Sequence, residues 1–170
     1  AIKALIMRDQ DRAAPRGTGD VKVGGNYASS IWSLEEAHKQ GFSNVLYLDA
    51  ATHSKVEEFG AANFFGIKNN TYVTPKSTSI LPSITNKSLR QIAADLGLTV
   101  EERDIPFEEL STFEEAGSCG TAAVISPIGA LYDLDNNVTY DFGMKVGDTC
   151  KKMYDHLQGI QYGRVEDIHN

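Results

Sequence analysis

Short apolar runs separated by polar turns dominate the chain, and most of them predict β-strands. The first is Ala1–Met7 (AIKALIM), and the charged, glycine-rich segment 8–20 after it predicts a loop. A helix follows, with Ser29 or Ser30 as its N-cap and Gly41 at its end. Its apolar positions are spaced for one buried stripe: Ile31, Leu34 and Ala37 or His38.

The middle of the chain predicts further strands and a second helix. NVLYLDA, residues 44–50, is a short apolar strand. Segment 56–75 predicts a β-hairpin, because β-branched and aromatic residues flank a turn at Asn69 and Asn70. The helix after the hairpin ends at Gly97. Its apolar stripe comprises Ile84, Leu89, Ile92, Ala93 and Leu96.

The last third of the chain continues this mixture. The elements predicted there are, in order, a strand at 100–106, a short helix at 107–113, strands at 120–134 and 137–142 around Asn136-Asn137, and a helix from Val146 to Leu157 before Gly159. Hairpins thus mix with a few isolated helices. This order favours an α+β fold or a mixed-sheet pseudo-barrel with surrounding helices over a regular βαβ series.

Composition narrows the class of protein. With 170 residues the chain has room for one domain, and its formal net charge of −7 opposes binding to a phosphate backbone. The longest apolar stretch, residues 121–131, is too short to span a membrane. The start has no signal-peptide pattern, and two cysteines imply no disulfide framework. We therefore expect a cytoplasmic protein that binds neither nucleic acid nor membrane.

Several familiar motifs are absent. Gly17-Thr18-Gly19 lacks the third glycine of a dinucleotide fingerprint, and no Walker loop occurs. The four histidines lie far apart, with no cysteine or carboxylate at the spacing of metal ligands. We predict no metal site.

One segment, GTGDVKVGGNYASS at residues 17–30, carries the candidate chemistry. By composition alone it is a turn with an exposed lysine, Lys22. However, it closely resembles the segment around the cofactor lysine of branched-chain aminotransferases, which are pyridoxal-phosphate enzymes of fold type IV. The resemblance continues, in the same order and at plausible spacing, through VEEFGAANFF, SILPSITNKSLRQIAADLG, VEERDIP, GSCGTAAVISPIG and GIQYG. It covers nearly all of the chain.

The resemblance implies a role for three residues at the reactive end of the cofactor, pyridoxal 5′-phosphate. Lys22 would bond to the cofactor aldehyde and then move a proton at the substrate Cα, as transamination requires. Tyr27 would donate a hydrogen bond to the phenolic oxygen, although it could equally be a core aromatic residue. Glu58 would face the pyridine nitrogen, and Glu57 is expected to be its solvated neighbour because alternate strand residues point to opposite faces.

The resemblance also implies anion-binding loops. Leu81 would pack against the ring, and Ile84 and Thr85 would bind the phosphate at a helix N-terminus, where Ser83 or Thr85 could also act as an ordinary cap. In the loop GSCGTAA, Thr121 would bind phosphate and substrate carboxylate, and Ala122 would bind the carboxylate. Some relatives have a Cys-x-x-Cys pair just beyond this loop. This chain has Ala123 and Ser126 there, which excludes a thiol–disulfide switch at that place.

The activity implied is amino transfer between leucine, isoleucine or valine and 2-oxoglutarate. Residues 1–170 correspond to the C-terminal, lysine-bearing domain of the family, so the N-terminal domain would be absent and the chain alone inactive. The full protein is expected to be a homodimer. Three alternatives stay open: a D-amino acid aminotransferase, an aminodeoxychorismate lyase of the same fold, and a non-catalytic cofactor-binding module. The GGNYA and GIQYG segments favour the branched-chain enzyme over the first two.

Overall fold

A computed structural model describes residues 1–169, and over that range it contains nine strands, three α-helices and one 3-10 helix. The strands are β1 Ile2–Met7, β2 Asn44–Leu48, β3 Val56–Phe59, β4 Asn63–Lys68, β5 Thr71–Pro75, β6 Thr99–Arg103, β7 Glu115–Gly120, β8 Val124–Asp133 and β9 Val138–Asp141. The helices are α1 Gly24–Lys39, α2 Ile84–Asp95 and α3 Asp148–Gln161, with the 3-10 helix at Phe107–Thr112. No helix in the described range is both long and apolar enough to cross a membrane.

Six strands close into a barrel. They are hydrogen-bonded in the order β3-β2-β1-β8-β7-β4, and β4 returns to β3 through the pairing of Glu58 with Asn63. β5 and β6 extend the sheet from β4, and β9 pairs with β8. The sheet is mixed, since β1 runs parallel to both β2 and β8 while β7 is antiparallel to its neighbours. The predicted α+β pseudo-barrel is confirmed.

Alternating strand residues pack into separate clusters. In β4, Phe64 belongs to a cluster with residues of the 3-10 helix, whereas Phe65 faces the opposite side and packs with Leu89 of α2 and Met153 of α3. This period of two is what a strand covered on both faces requires. The helices therefore lie against the outer surface of the sheet.

Most predicted elements are confirmed. The hairpin of β4 and β5 turns at Asn69 and Asn70, which both have left-handed backbone angles, φ +47° and +56°. Asparagine tolerates this conformation better than most residues. Gly41 and Gly97, each with φ +84°, follow α1 and α2 as predicted.

Five predicted boundaries or stripes were wrong. α1 begins at Gly24, not at Ser29 or Ser30, and it buries polar residues while Ile31 is exposed. α2 buries three of the five predicted apolar positions, but Ile84 is 77% exposed and Leu96 is 40% exposed. α3 continues to Gln161 instead of ending at Leu157. The strand predicted at 120–134 begins at Val124, because residues 121–123 form a turn after β7.

Candidate active site

Lys22 lies in a short exposed segment just before α1. The Val23 N–H donates to the Val21 carbonyl at 2.9 Å, which places Lys22 at the centre of a tight three-residue turn. Among residues 1–169 the Lys22 side chain forms no hydrogen bond or ion pair. Its amine is therefore available to a ligand.

Glu58, at the end of β3 where the barrel closes, is the opposite case, since it is 3% exposed. The Leu81 N–H donates to Oε1 at 3.0 Å, and the Asn63 Nδ2 donates to Oε2 at 3.1 Å. Burial raises the pKa of Glu58 to about 7, against the opposing effect of Arg12 and the Leu81 N–H. One carboxylate oxygen thus keeps a lone pair for a further donor.

Arg12 was missed by the sequence analysis, which placed it in a charged loop. It is 4% exposed, and its Nη2 lies 2.6 Å from Glu58 Oε1. The same nitrogen donates to the carbonyls of Gly19 and Ser79, at 3.0 Å and 2.5 Å. Arg12 therefore joins the Lys22 loop, the loop before α2 and Glu58. No sequence pattern distinguishes this arginine from its exposed neighbour Arg16.

The prediction that Glu57 is solvated was wrong. Glu57 is 5% exposed because the loop after β5 covers it, and Ser77 Oγ donates to its carboxylate at 2.7 Å. Burial also raises the pKa of Glu57. The alternation argument failed because both faces of β3 are buried.

The start of α2 provides free backbone donors. Ser83 is the N-cap, and its hydroxyl accepts the Asn86 N–H at 3.1 Å, so Ser83 and not Thr85 is the cap. Within the described part of the chain, the N–H groups of Ile84 and Thr85 form no hydrogen bond. A helix N-terminus with two free N–H groups is suited to bind an anion such as phosphate. Leu81, three residues earlier, is tied to Glu58 by the bond described above.

Tyr27, Thr121 and Ala122 line one cavity of about 370 Å³. Its wall combines the larger side chains of α1 with small residues of the β3–β4 and β7–β8 turns. The β7–β8 turn ends at Val124, which has φ +60°, a strained conformation for a β-branched residue. The surrounding structure therefore holds Thr121 and Ala122 in a turn that Val124 alone would disfavour.

The predicted residues fall into four groups, one of which is Ile84 and Thr85 with their free N–H groups at the start of α2. Tyr27, Thr121 and Ala122 share the cavity, Glu58 and Leu81 are hydrogen-bonded, and Lys22 stands apart from both. Gly19 joins the Lys22 loop to the loop before α2, because a Cβ on Gly19 would lie 2.2 Å from the Ser79 carbonyl oxygen. In residues 1–169 no cluster of three or more His, Cys, Asp or Glu side chains could hold a metal ion.

A sequence profile identifies the family. The profile of the class IV aminotransferases, "Amino-transferase class IV", matches residues 2–131. The chain belongs to this family.

Relatives within the class IV aminotransferases extend the match over the chain. It is 51% identical over 169 residues to the branched-chain-amino-acid aminotransferase of Haemophilus influenzae, covering 95% of this chain and 49% of the relative. It is 52% identical over 158 residues to the enzyme of the same name from Helicobacter pylori, covering 92% and 46%. The resemblance found in the sequence is confirmed. The chain spans about half the length of the curated relatives it matches.

Solved structures show the same fold. The branched-chain amino acid aminotransferase of Escherichia coli superposes with a TM-score of 0.86 at 29% identity, covering 99% of this chain and 54% of that one. The branched-chain amino acid aminotransferase of Thermoproteus uzoniensis, solved with norvaline, gives 0.82 at 29% identity, covering 97% and 52%. A third such enzyme, complexed with N-(5′-phosphopyridoxyl)-L-glutamate, gives 0.83 at 25% identity, covering 96% and 53%. The fold is that of the fold type IV aminotransferases.

The residues of this chain fit pyridoxal phosphate by their chemistry. A buried carboxylate with a free lone pair suits a protonated pyridine nitrogen, and free N–H groups at a helix N-terminus suit a phosphate. A lysine without a partner suits an aldehyde. Arg12 joins the three parts of the chain that provide these features, since it contacts Glu58 of β3, Gly19 in the Lys22 loop and Ser79 in the loop before α2.

Proposed function

We propose that the protein carrying this chain transfers the amino group between branched-chain amino acids and 2-oxoglutarate, with pyridoxal phosphate as cofactor. The observation that carries the proposal is the continuity of segment 81–85. Its first N–H binds Glu58, and its last two residues offer the free N–H groups of α2. One segment thereby connects a partner for the ring nitrogen with a cradle for the phosphate.

Each predicted residue has a role in this proposal. Pyridoxal phosphate, when bound, supplies an electron sink for the charge that develops at the substrate Cα. Lys22 holds the cofactor and moves a proton at that carbon, and Tyr27 donates a hydrogen bond to the phenolic oxygen. Glu58 accepts a hydrogen bond from the protonated ring nitrogen. Its burial in a low-dielectric environment strengthens that interaction.

The remaining residues bind and orient. Leu81 packs against the ring, and Ile84 and Thr85 bind the phosphate through their N–H groups. Thr121 binds phosphate and substrate carboxylate, and Ala122 binds the carboxylate through its backbone. The strained turn at Val124 supports a fixed geometry for this loop.

The substrate class rests on the relatives, two of which are named for branched-chain amino acids. The largely apolar wall of the cavity beside Tyr27 and Thr121 agrees with an apolar substrate. A panel of L-leucine, L-isoleucine, L-valine, D-alanine and aminodeoxychorismate separates this activity from those of a D-amino acid aminotransferase and a lyase. Turnover confined to D-alanine or aminodeoxychorismate would refute it.

We further propose that residues 1–170 are the C-terminal, lysine-bearing domain of a cytoplasmic homodimer. The support is that the chain matches about half of each relative. Both cysteines are free and buried, which agrees with a reducing compartment. We expect the isolated 170-residue chain to transaminate L-leucine at a rate at least about 10³-fold below that of the protein at its natural length, because correct positioning supplies much of catalysis. A comparable rate in the two would contradict the domain assignment.

The central test locates the cofactor bond. The protein is incubated with pyridoxal phosphate, reduced with borohydride, digested and analysed by mass spectrometry. We expect the modification on Lys22 alone, and its loss without transfer to another site in Lys22→Gln. Lys76→Gln is the matched control and should keep the label. Scattered label would contradict the proposal, and label on Lys22 without amino transfer would favour a non-catalytic cofactor-binding module.

A further inference from the structure

One buried amide holds the loop that carries Lys22. Asn26, the third residue of α1, is 6% exposed. Its Nδ2 donates to the carbonyls of Thr18 and Val21 at 2.6 Å and 2.8 Å, and its Oδ1 accepts the Thr18 hydroxyl at 3.0 Å. Both donor hydrogens and the carbonyl oxygen of the amide are therefore used, which fixes its orientation.

These bonds enclose Lys22 on both sides. The Val21 carbonyl belongs to the peptide group that ends at the Lys22 nitrogen, and it receives both the Asn26 amide and the Val23 N–H of the tight turn. On the other side, the Asn26 backbone N–H donates to the Val23 carbonyl at 3.2 Å. Asn26 thus bonds to the main chain on both sides of Lys22, while the Lys22 side chain forms no hydrogen bond within residues 1–169.

The bonds of Asn26 stabilise the loop and not the helix. Asparagine is a poor helix former, and Val23, the N-cap of α1, provides no side-chain hydrogen bond. The Asn26 side chain donates hydrogen bonds to carbonyls five and eight residues earlier in the chain, so these bonds do not cap the helix.

We propose that Asn26 is a positioning residue that holds Lys22 in the turn from which its amine reaches the cofactor aldehyde, an inference that rests on the proposed function. In that step the Lys22 Nζ would bond to the aldehyde carbon, and the aldehyde oxygen would leave as water together with two hydrogens from the amine nitrogen. Asn26 touches neither atom. It acts through the Val21 and Thr18 carbonyls, and its loss releases the turn.

The test uses the two forms of the cofactor. Pyridoxal phosphate can bond to a lysine, whereas pyridoxamine phosphate has no aldehyde and cannot. Calorimetric titration of the apo protein at its natural length gives the affinity for each. In Asn26→Leu, which keeps the size of the side chain, we expect roughly tenfold weaker binding of pyridoxal phosphate, since the hydrogen bonds to the Thr18 and Val21 carbonyls are lost. Binding of pyridoxamine phosphate should change less than about twofold.

Asn86→Leu is the matched control. Asn86 is also the third residue of its helix, and its amide bonds to Tyr72 and Thr74. The loss of those bonds disturbs α2, so both affinities should fall together and their ratio should stay as in the wild type. If Asn26→Leu only destabilised the fold in general, it too would weaken the binding of both cofactor forms and leave the ratio of the two affinities unchanged.

Thr18→Val gives a milder version in case Asn26→Leu does not fold. It removes only the hydroxyl that orients the Asn26 amide. We expect about two- to threefold weaker binding of pyridoxal phosphate, unchanged binding of pyridoxamine phosphate, and faster hydrogen exchange in residues 18–26 of the apo protein.

The outcomes separate the two proposals. If the wild-type protein forms no bond at Lys22 with pyridoxal phosphate, the proposed function fails. If it forms that bond but the ratio of the two affinities is unchanged in both Asn26→Leu and Thr18→Val, the positioning role is overturned. If Asn26→Leu does not fold, an unchanged ratio in Thr18→Val alone overturns it.

Discussion

The two ends of the candidate site are built in opposite ways. Glu58 is buried at the barrel seam, with Arg12, Leu81 and Asn63 around its carboxylate. Lys22 is exposed, and only its main chain is fixed. A carboxylate that must keep one position relative to a ring profits from rigid support, whereas a lysine that must bond, leave and carry a proton needs a mobile side chain on a fixed base. The difference in burial between Glu58 and Lys22 therefore matches the different roles proposed for them.

The largest effect should come from replacing Lys22, the site residue with the exposed side chain. Lys22→Ala should lower the transamination rate of the protein at its natural length by at least about 10³-fold, because both the covalent bond and the proton transfer are lost. Its free energy of unfolding should change by less than about 0.5 kcal/mol, since the side chain is exposed and makes no hydrogen bond within residues 1–169. Steady-state kinetics and chemical denaturation measure the two quantities. Lys152→Ala, at another exposed lysine, should leave both unchanged.

The contribution of buried Glu58 to the free energy of unfolding should depend on pH. The pKa of Glu58 is raised from 4.5 to about 7, so the folded state holds this proton more tightly than the unfolded chain does. Glu58 therefore favours folding most below about pH 4.5, and that contribution, about 3 kcal/mol, is lost as the pH rises to about 7. Glu58→Gln should remove this dependence. In denaturation curves, the free energy of unfolding of the wild type, measured relative to that of Glu58→Gln, should therefore decrease as the pH rises from about 4.5 to about 7.

The variant Arg12→Met tests the same titration of Glu58. It lowers the pKa of Glu58 against the effect of burial, so Arg12→Met should move the Glu58 titration to higher pH. A stability difference between wild type and Glu58→Gln that does not vary with pH would contradict a buried, titrating Glu58.

The smallest effect concerns the two helix starts. α2 is capped by the Ser83 hydroxyl, whereas α1, next to Lys22, has no side-chain cap. Ser83→Ala should cost about 1 kcal/mol of stability, because the Asn86 N–H loses its acceptor. Thermal unfolding measures this, with Ser88→Ala as control, where the exposed hydroxyl only donates to the Ile84 carbonyl. An equal loss in both variants would mean that the cap contributes nothing specific.

The sequence predicted the barrel class and most elements, because strand alternation and turn residues are local signals. It missed β7 as a separate strand. This strand reads EAGSCG and lacks the β-branched and aromatic residues that mark strands. The small residues are required by packing, since a Cβ on Gly117 would lie 2.3 Å from the Phe65 ring. That requirement comes from β4, about fifty residues away in the chain, and leaves no local pattern.

The start of α1 was wrong for a related reason. The prediction looked for an apolar buried face, but Asn26, Ser30 and Ser33 are the buried residues in the first part of the helix. Their side chains bond to the preceding loop and to the helix itself, while Ile31 lines the cavity. Apolar periodicity detects core packing. It does not detect a helix that faces polar loops and a cavity, so the roles of Asn26 and Ser33 were not visible in the sequence.

The parallel pairing of β1 with β8 has a consequence for synthesis on the ribosome. Ala4 pairs with Leu131, so the apolar strand β1 emerges more than a hundred residues before its neighbour. At typical rates of translation the delay is roughly ten seconds. Throughout that time one edge of β1 has no partner and is open to wrong pairing with other nascent chains. The barrel can close only once Val124–Asp133 has left the exit tunnel, so its closure is a late event in the synthesis of this chain.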